Sequence, residues 1–404
     1  MNLAATGTWP QQRSRVLDWL VHEAREVPFL DDLFGELCAR LVSDGLPLAR
    51  STIQLRVLHP QFVAGQMLWE AGTPSVRMTF FEHARIRSDA YLHSPIREIF
   101  EQEADCLRRR LSKPGDNYEY PIYAELAERG LTDYVAMPLI MTDGRRHAWT
   151  LATAHPDGFS SDDLFRIDEL LPVLAMAAEI RINRRTAKNI LATYVGKDAG
   201  ARVLAGEITR GSGGSIQAAL WTCDMRGFTT ISETWPRDDV IAWLNDYFDA
   251  MAEPVEKRGG EILKFIGDAM LAIFRIDDPA APQQALRHAI EAACEAVGNM
   301  HRLNAGRRER GLPELGFGIA LHVGEVMYGN IGTRTRLDFT VIGPAVNLVS
   351  RLEQLTQVLD REVIVSEAFA QVCADQDCLV SLGAHELRGV GRAVEVYALK
   401  ELER

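Results

Sequence analysis

The chain of 404 residues is 47% hydrophobic and 25% charged, an ordinary globular composition that is long enough for roughly two to three domains. Its 44 basic and 56 acidic residues give a net charge of −12, which argues against a function based on contacts with a nucleic-acid backbone. Because no signal-peptide pattern and no apolar run of roughly 20 residues is present, we expect a cytoplasmic protein without a membrane span.

The first 160 residues predict an α+β domain. Apolar residues at helical spacing between about 12 and 50 predict two helices. Alternating apolar residues predict strands over 52–58, 134–140 and 148–154. The last two strands flank MTDGRR, whose Asp-Gly pair is typical of a hairpin turn. Residues 84–132 are predicted to be irregular and contain no cluster of ligands or glycines that would identify a bound molecule.

A long helix is predicted to begin at Ser160. Ser160 and Asp163 have capping-box spacing. The apolar residues that follow at three- and four-residue spacing are Leu164, Ile167, Leu171, Leu174 and Ala178. Pro172 can kink this helix, so a continuous coiled coil and a helix packed on its own domain both stay open. We therefore predict a regulatory domain over 1–159, a helical connector over 160–205 and a second domain over 206–404.

Strands alternate with helices in this second domain. Strands are predicted over 215–223, 261–266, 269–274, 315–332 (with a glycine-rich continuation), 338–343, 362–366 and 394–400. Helices are predicted over 236–252, 281–306 and 344–355, the last with Pro344 at its first position. Gly267 and Asp268 form a plausible tight turn between two of the strands. The pattern indicates a sheet covered by helices.

Two acidic residues stand at the ends of apolar strands. Asp224 follows AALWTC, and Asp268 lies at the centre of KFIGDAMLAIF. An ionised carboxylate is costly to desolvate. Taken alone, Asp268 is expected to be a solvated turn residue, and Asp224 is expected to end a strand and accept hydrogen bonds from the amides of MRGF. Two carboxylates from neighbouring strand ends, however, suit a pair of Mg²⁺ ions, which take a few carboxylates together with waters and substrate phosphate oxygens.

Four motifs resemble, in order and spacing, the catalytic domain of class III nucleotide cyclases: LWTCDMRGFTTISE, GGEILKFIGDAMLAIF, GIALHVGEVMYGNIG and FTVIGPAVNLVSRLE. The resemblance covers about residues 215–400 and implies a ferredoxin-like, palm-type fold. It implies an adenylyl cyclase that converts ATP to 3′,5′-cyclic AMP and pyrophosphate by in-line attack of the ribose 3′-hydroxyl on the α-phosphate. It also implies that Asp224 and Asp268 bind two Mg²⁺ or Mn²⁺ ions in each active site.

The same resemblance implies roles in substrate binding. Asn347 would orient the ribose and Arg351 would stabilise the transition-state phosphate; four residues apart, they lie on one face of a helix. The turn that receives the terminal phosphates matches Gly227, Phe228 and Thr229. Arg388, in the short motif HELRGVG, matches a basic residue that holds the triphosphate.

Lys264 and Thr340 match the two positions that select the base. Adenine offers N1 as an acceptor and its 6-amino group as a donor, which suit a lysine donor and a hydroxyl acceptor. Guanylyl cyclases carry glutamate and a small residue there. Because a hydroxyl can also donate, a guanylyl cyclase stays an alternative, as does a catalytically silent nucleotide-binding module. A diguanylate cyclase is disfavoured, since GGEILKF lacks the paired acids of a GGDEF loop.

In this family the site lies between two catalytic domains, and this single chain carries both sets of residues. The resemblance therefore implies a symmetric homodimer with two equivalent sites. Residues 1–159 resemble a GAF-type sensor, because a strand-rich core has helices at both ends and precedes an output domain. A PAS domain and a purely structural dimerisation domain are the alternatives. The expected regulator of this domain is an unknown small molecule or protein.

Overall fold

The computed structural model describes residues 9–73, 75–111, 117–373 and 378–400. The chain divides into two compact units, Met1–Ile190 and Leu191–Arg404. Within the described ranges, no helix combines the length and the apolar character needed to cross a membrane.

The N-terminal unit contains a six-stranded sheet and several helices. Its helices are α1 (Arg15–His22), α2 (Leu30–Ser43), α3 (Asp89–Leu92), α4 (Pro95–Phe100), α5 (Pro121–Glu128) and α6 (Ser161–Tyr194), with short 3₁₀ helices at Ala24–Glu26 and His83–Arg87. Its strands are β1 (Arg50–Arg56), β2 (Phe62–Glu70), β3 (Arg77–Glu82), β4 (Leu107–Arg110), β5 (Asp133–Ile140) and β6 (Arg146–Thr153). The strand order is β3-β2-β1-β6-β5-β4, and every pair is antiparallel.

Both faces of this sheet bury apolar side chains. One core joins α1, α2 and α6 to the strands, and a second core joins α4 and α5 to the opposite face. The predicted pair of helices, the three strands and the β5–β6 hairpin are confirmed. The prediction that 84–132 is irregular was wrong where the structure describes this segment, because α4 and α5 bury Ile99, Phe100 and Leu126 against the sheet. Residues 112–116 lie outside the described ranges. The GAF-like assignment stays a prediction.

The segment predicted as a connector packs into the cores of the two units. At its start, the Ser160 N–H donates to Asp163 Oδ2 at 2.9 Å and the Asp163 N–H donates to Ser160 Oγ at 3.1 Å, which confirms the capping box. Helix α6 continues through Pro172. Its residues up to Ile182 contribute to the first core, as expected for a helix packed on its own domain. The division into 1–159, 160–205 and 206–404 stays a prediction.

The C-terminal unit is a mixed α/β structure around an eight-stranded sheet. Its helices are α7 (Lys197–Leu204), α8 (Phe228–Thr234), α9 (Arg237–Lys257), α10 (Gln283–Glu309), α11 (Pro344–Val358) and α12 (Glu367–Val372). Its strands are β7 (Gly213–Arg226), β8 (Glu261–Ile266), β9 (Ala269–Ile276), β10 (Gly316–Gly332), β11 (Leu337–Ile342), β12 (Val363–Ser366), β13 (Leu379–His385) and β14 (Val394–Leu399). The predicted strands and helices of this unit are confirmed, and α7, α8, α12 and β13 are additional.

The strand order is β13-β14-β12-β10-β7-β9-β8, with β11 paired to β10. Strand β7 is therefore internal and buried on both faces. Its residues Trp221 and Cys223 belong to the core shared with α9 and α10, whereas Leu220 belongs to the core shared with α11. Because side chains alternate along a strand, Asp224 has the same parity as Leu220 and lies on the α11 side of the sheet.

Candidate active site

The structure brings Asp224 and Asp268 together. Asp224 lies near the end of β7, and Asp268 lies in the β8–β9 turn after Gly267, whose φ of +66° favours glycine. The β7–β9 register pairs Cys223 with Met270, which places the strand end beside the turn. The two carboxyl groups are close enough for Asp268 to raise the pKa of Asp224.

The electrostatics of this pair favour a cation. Burial raises the pKa of Asp224, and the neighbouring carboxyl group of Asp268 raises it further. The N–H of Met225 opposes this shift by donating to Asp224 Oδ1 at 2.9 Å. Among the described residues, no cationic side chain forms an ion pair with either aspartate. The carboxyl oxygens thus fit a hard divalent cation, the type of ion that prefers such ligands. The metal-binding role itself stays a prediction.

A third acidic residue, which the sequence analysis did not select, faces the same pair. Glu353 lies on α11, over the position where Gly318 of β10 is paired with Asp224. Burial and repulsion from Asp224 raise the pKa of Glu353 to about 7, although Arg226 attracts its charge. Within the described ranges, no group of three or more His, Cys, Asp or Glu side chains has an arrangement that could hold a metal ion. Glu353 is therefore a neighbour of the aspartate pair and not a third member of a closed ligand set.

The predicted base-selecting residues lie on β8 and β11. Lys264 is half-buried on β8, a strand at the end of the sheet, and no hydrogen bond or ion pair to it is formed within the described residues. Thr340, on β11, is paired with Gly329 of β10 and is only 4% exposed. Its Oγ1 has no hydrogen-bond partner in the described part of the chain. A buried polar atom without a partner is costly, and such a hydroxyl is suited to bind a ligand.

Asn347 and Arg351 lie one turn apart on α11, as predicted. Asn347 is exposed, and Arg351 donates from Nη1 to Gln354 Oε1 at 3.2 Å. In the described ranges, neither side chain forms a hydrogen bond or ion pair with Asp224 or Asp268 of its own chain. The structure of one chain therefore presents the two acidic residues and the two α11 residues as separate sets.

The predicted phosphate-binding residues lie on exposed segments. Gly227 precedes α8 with a φ of +72°, and Phe228 and Thr229 are the first residues of that helix. Arg388 lies in the loop between β13 and β14, and it is exposed. Among the described residues it has no ion pair. Gly227, Thr229 and Arg388 are exposed, whereas the side chain of Phe228 packs against the core shared with α9 and α10. The predicted roles of these residues stay predictions.

Residues 217–401 match the family described as the adenylate and guanylate cyclase catalytic domain. Adenylate cyclase 1 of Rhizobium meliloti (strain 1021) is 32% identical over 179 residues, which are 44% of this chain and 26% of that protein. An adenylate cyclase of Anabaena cylindrica is 31% identical over 195 residues, 47% of this chain and 38% of that protein. The similarity thus spans less than half of either relative.

A solved structure described as a bacterial light-regulated adenylyl cyclase is also similar. It is 25% identical and covers 57% of this chain and 65% of its own, with a TM-score of 0.47.

Proposed function

We propose that this chain, whose residues 217–401 match the family of adenylate and guanylate cyclase catalytic domains, converts ATP to 3′,5′-cyclic AMP and pyrophosphate. The observation that carries the proposal is the pair of Asp224 and Asp268, which the β7–β9 register places at adjoining strand ends of that domain. The names of the two relatives, both adenylate cyclases, support the choice of ATP.

In the proposed reaction, the ribose 3′-hydroxyl loses its proton to solvent and its oxygen forms a bond to the α-phosphorus. The bond from this phosphorus to the oxygen that bridges the α- and β-phosphates breaks, and pyrophosphate leaves. Asp224 and Asp268 would hold the divalent cations, two Mg²⁺ or Mn²⁺ ions in each site. When bound, these ions supply positive charge that activates the hydroxyl and neutralises the triphosphate. Asn347 would orient the ribose, and Arg351 would stabilise the charge that develops on the phosphate oxygens.

The triphosphate would be held by groups on two exposed segments. The backbone amides at Gly227, Phe228 and Thr229 would receive the terminal phosphates, and Arg388 would add a positive charge. Because the reaction needs little covalent chemistry from the protein itself, positioning of the substrate and stabilisation of charge provide most of the catalysis.

Adenine is the base that we propose for Lys264 and Thr340. The Thr340 hydroxyl is buried and without a partner in the described residues, so an acceptor for the adenine 6-amino group is available. Lys264 would donate to N1. Since the hydroxyl can donate as well as accept, GTP is the alternative substrate that the test includes.

We propose that two chains form a homodimer with the active sites between them. The aspartates of one chain would face Lys264, Thr340, Asn347 and Arg351 of the other. Half-exposed apolar side chains support such an interface: Phe265 and Ile266 on β8, Met327 on β10 and Ile342 on β11. Met327 and Ile342 are paired across their strands, so they lie on one surface of the sheet.

For the N-terminal unit we propose a GAF-like regulatory role with an unidentified small molecule or protein as its signal. Its six-stranded sheet with a core on each face supports an independent domain. Mass spectrometry and absorbance of the purified protein would reveal a molecule that co-purifies with it.

The test of the proposed function is incubation of the full chain with ATP or GTP and Mg²⁺ or Mn²⁺. We expect 3′,5′-cyclic AMP and an equal amount of pyrophosphate. Formation of cyclic GMP at a higher rate would identify a guanylyl cyclase. Binding of nucleotide without cyclic product under all these conditions would identify a silent module and refute the proposal.

A further inference from the structure

Helix α11 turns a second set of residues toward the aspartate pair of its own chain. Val349 and Leu352 fix the buried face of the helix in the core above β7 and β10. Glu353 and Thr356 follow on this face. Both lie over Gly318, the residue of β10 that is paired directly with Asp224. The helix that carries Asn347 and Arg351 outward thus carries an acidic residue and a hydroxyl inward.

Gly318 provides the space that these two side chains occupy. A Cβ at this position would lie 3.1 Å from Glu353 Oε1 and 3.0 Å from Thr356 Cβ, and it would overlap Thr356 Oγ1. Thr356 is 1% exposed, yet its Oγ1 has no hydrogen-bond partner among the described residues. Two polar groups are therefore directed into the space beside Asp224.

No cationic side chain of the described residues forms an ion pair with this acidic group of three. Arg226 attracts the charge of Glu353, but its Nη2 donates to the carbonyl oxygens of Thr356 and Arg361 at 2.9 and 2.8 Å. Its Nη1 lies 3.5 Å from Asp360. Three carboxyl groups without an ion pair repel one another, and a bound divalent cation would relieve that repulsion.

We infer that Glu353 is a positioning residue of the cation site, which adds a third negative charge beside Asp224 and Asp268 of its own chain and holds a water of the cation's hydration shell. Mg²⁺ and Mn²⁺ retain such waters when a protein offers few carboxylates, and residues that orient the waters or ligands strengthen binding. The Thr356 hydroxyl orients the same water. This inference rests on the proposed function, because the cation site is part of it.

The test uses the full chain without nucleotide and Mn²⁺ as the probe. Glu353→Gln keeps the size of the side chain and removes its charge. We expect the Mn²⁺ concentration at half-saturation, measured by electron paramagnetic resonance of free Mn²⁺, to rise about tenfold, as is typical for loss of such a neighbour. Glu353→Asp should give a smaller rise. The matched control is Glu309→Gln at the exposed end of α10, which loses the same charge and should bind Mn²⁺ like the unmodified chain.

Thermal unfolding provides a second readout. If Glu353 had a purely structural role, Glu353→Gln would lower the melting temperature, whereas a role in the cation site predicts a higher melting temperature without metal. In EDTA, Glu353→Gln should melt above the unmodified chain, because the repulsion among the carboxylates is reduced. With saturating Mn²⁺ this advantage should disappear. A lower melting temperature in EDTA together with unchanged Mn²⁺ binding would overturn the inference, and so would failure of both Glu353 variants to fold.

Failure of the inference and failure of the proposed function give different results. If the unmodified chain cyclises ATP but Glu353→Gln binds Mn²⁺ equally well, only the inference is wrong. If Mn²⁺ binding weakens in the variant but no nucleotide is cyclised by the unmodified chain, only the proposed function is wrong. If the unmodified chain binds no Mn²⁺ at all, both the metal-binding role of Asp224 and Asp268 and the positioning role of Glu353 are wrong.

Discussion

Gly318→Ala should destabilise the C-terminal unit, because the packing of α11 over β10 depends on the missing side chain at this position. The added Cβ would overlap Thr356 Oγ1 and lie 3.0 Å from Thr356 Cβ. Overpacking of a buried contact costs about 1–3 kcal/mol, and reduced chain entropy in the unfolded state returns about 0.4–1 kcal/mol. The net cost is therefore about 1.3 kcal/mol at the midpoints of these ranges, with an upper bound of about 2.6 kcal/mol, which corresponds to a fall in Tm of roughly 3–5 °C at the midpoint for a unit of this size.

Differential scanning calorimetry of the full chain measures this change. The matched control is Gly306→Ala on α10, where an added Cβ has no atom within 4 Å. This control should melt at or above the unmodified chain, because alanine is the better helix former by about 1 kcal/mol.

A double-mutant cycle identifies the contact. In the Thr356→Ala background the clashing oxygen is gone, so Gly318→Ala should cost less than it does in the unmodified chain. Equal costs in the two backgrounds, or a Gly318→Ala variant as stable as the Gly306→Ala control, would refute the packing argument.

Three further predictions concern the proposed activity. Asp224→Ala or Asp268→Ala should abolish cyclisation while circular dichroism shows an intact fold; near-normal turnover in both would contradict the metal assignment. Lys264→Glu with Thr340→Cys should erode the preference for ATP in competition assays, and a better turnover of GTP by the unmodified chain would contradict the base assignment. Mixing inactive Asp224→Ala and Asn347→Ala chains should restore activity, because a mixed dimer has one intact site; continued inactivity, with subunit exchange verified, would exclude a site between chains.

The sequence predicted the elements of the C-terminal unit well because each one has a strong local signal. The buried strands have long apolar runs, and Pro344 and the Gly267-Asp268 pair mark a helix start and a turn. The N-terminal unit was predicted less completely. Helices α3 to α5 have only four to eight residues, too few for a clear period, and their burial is decided by contacts with the sheet.

Glu353 shows why part of the candidate site could not be found from sequence. Its relation to Asp224 depends on the β7–β10 register and on which face of α11 is buried. Both are tertiary facts, and a glutamate two residues after Arg351 resembles any exposed helical acid. The same holds in part for Thr340. The family resemblance implied its role, but only the structure shows that its hydroxyl has no hydrogen-bond partner among the described residues.

The two candidate half-sites differ in how the fold holds them, and this difference favours completion by a second chain. Asp224 is fixed by an internal strand with neighbours on both sides, and Asp268 by a tight turn next to it. Lys264 instead lies on a strand at the end of the sheet, and Asn347 projects from the exposed face of α11. The acidic pair and the exposed Asn347 of α11 form no hydrogen bond or ion pair within the described residues of one chain. Under the proposed function they can meet across a two-fold axis, where each chain supplies the set that the other lacks.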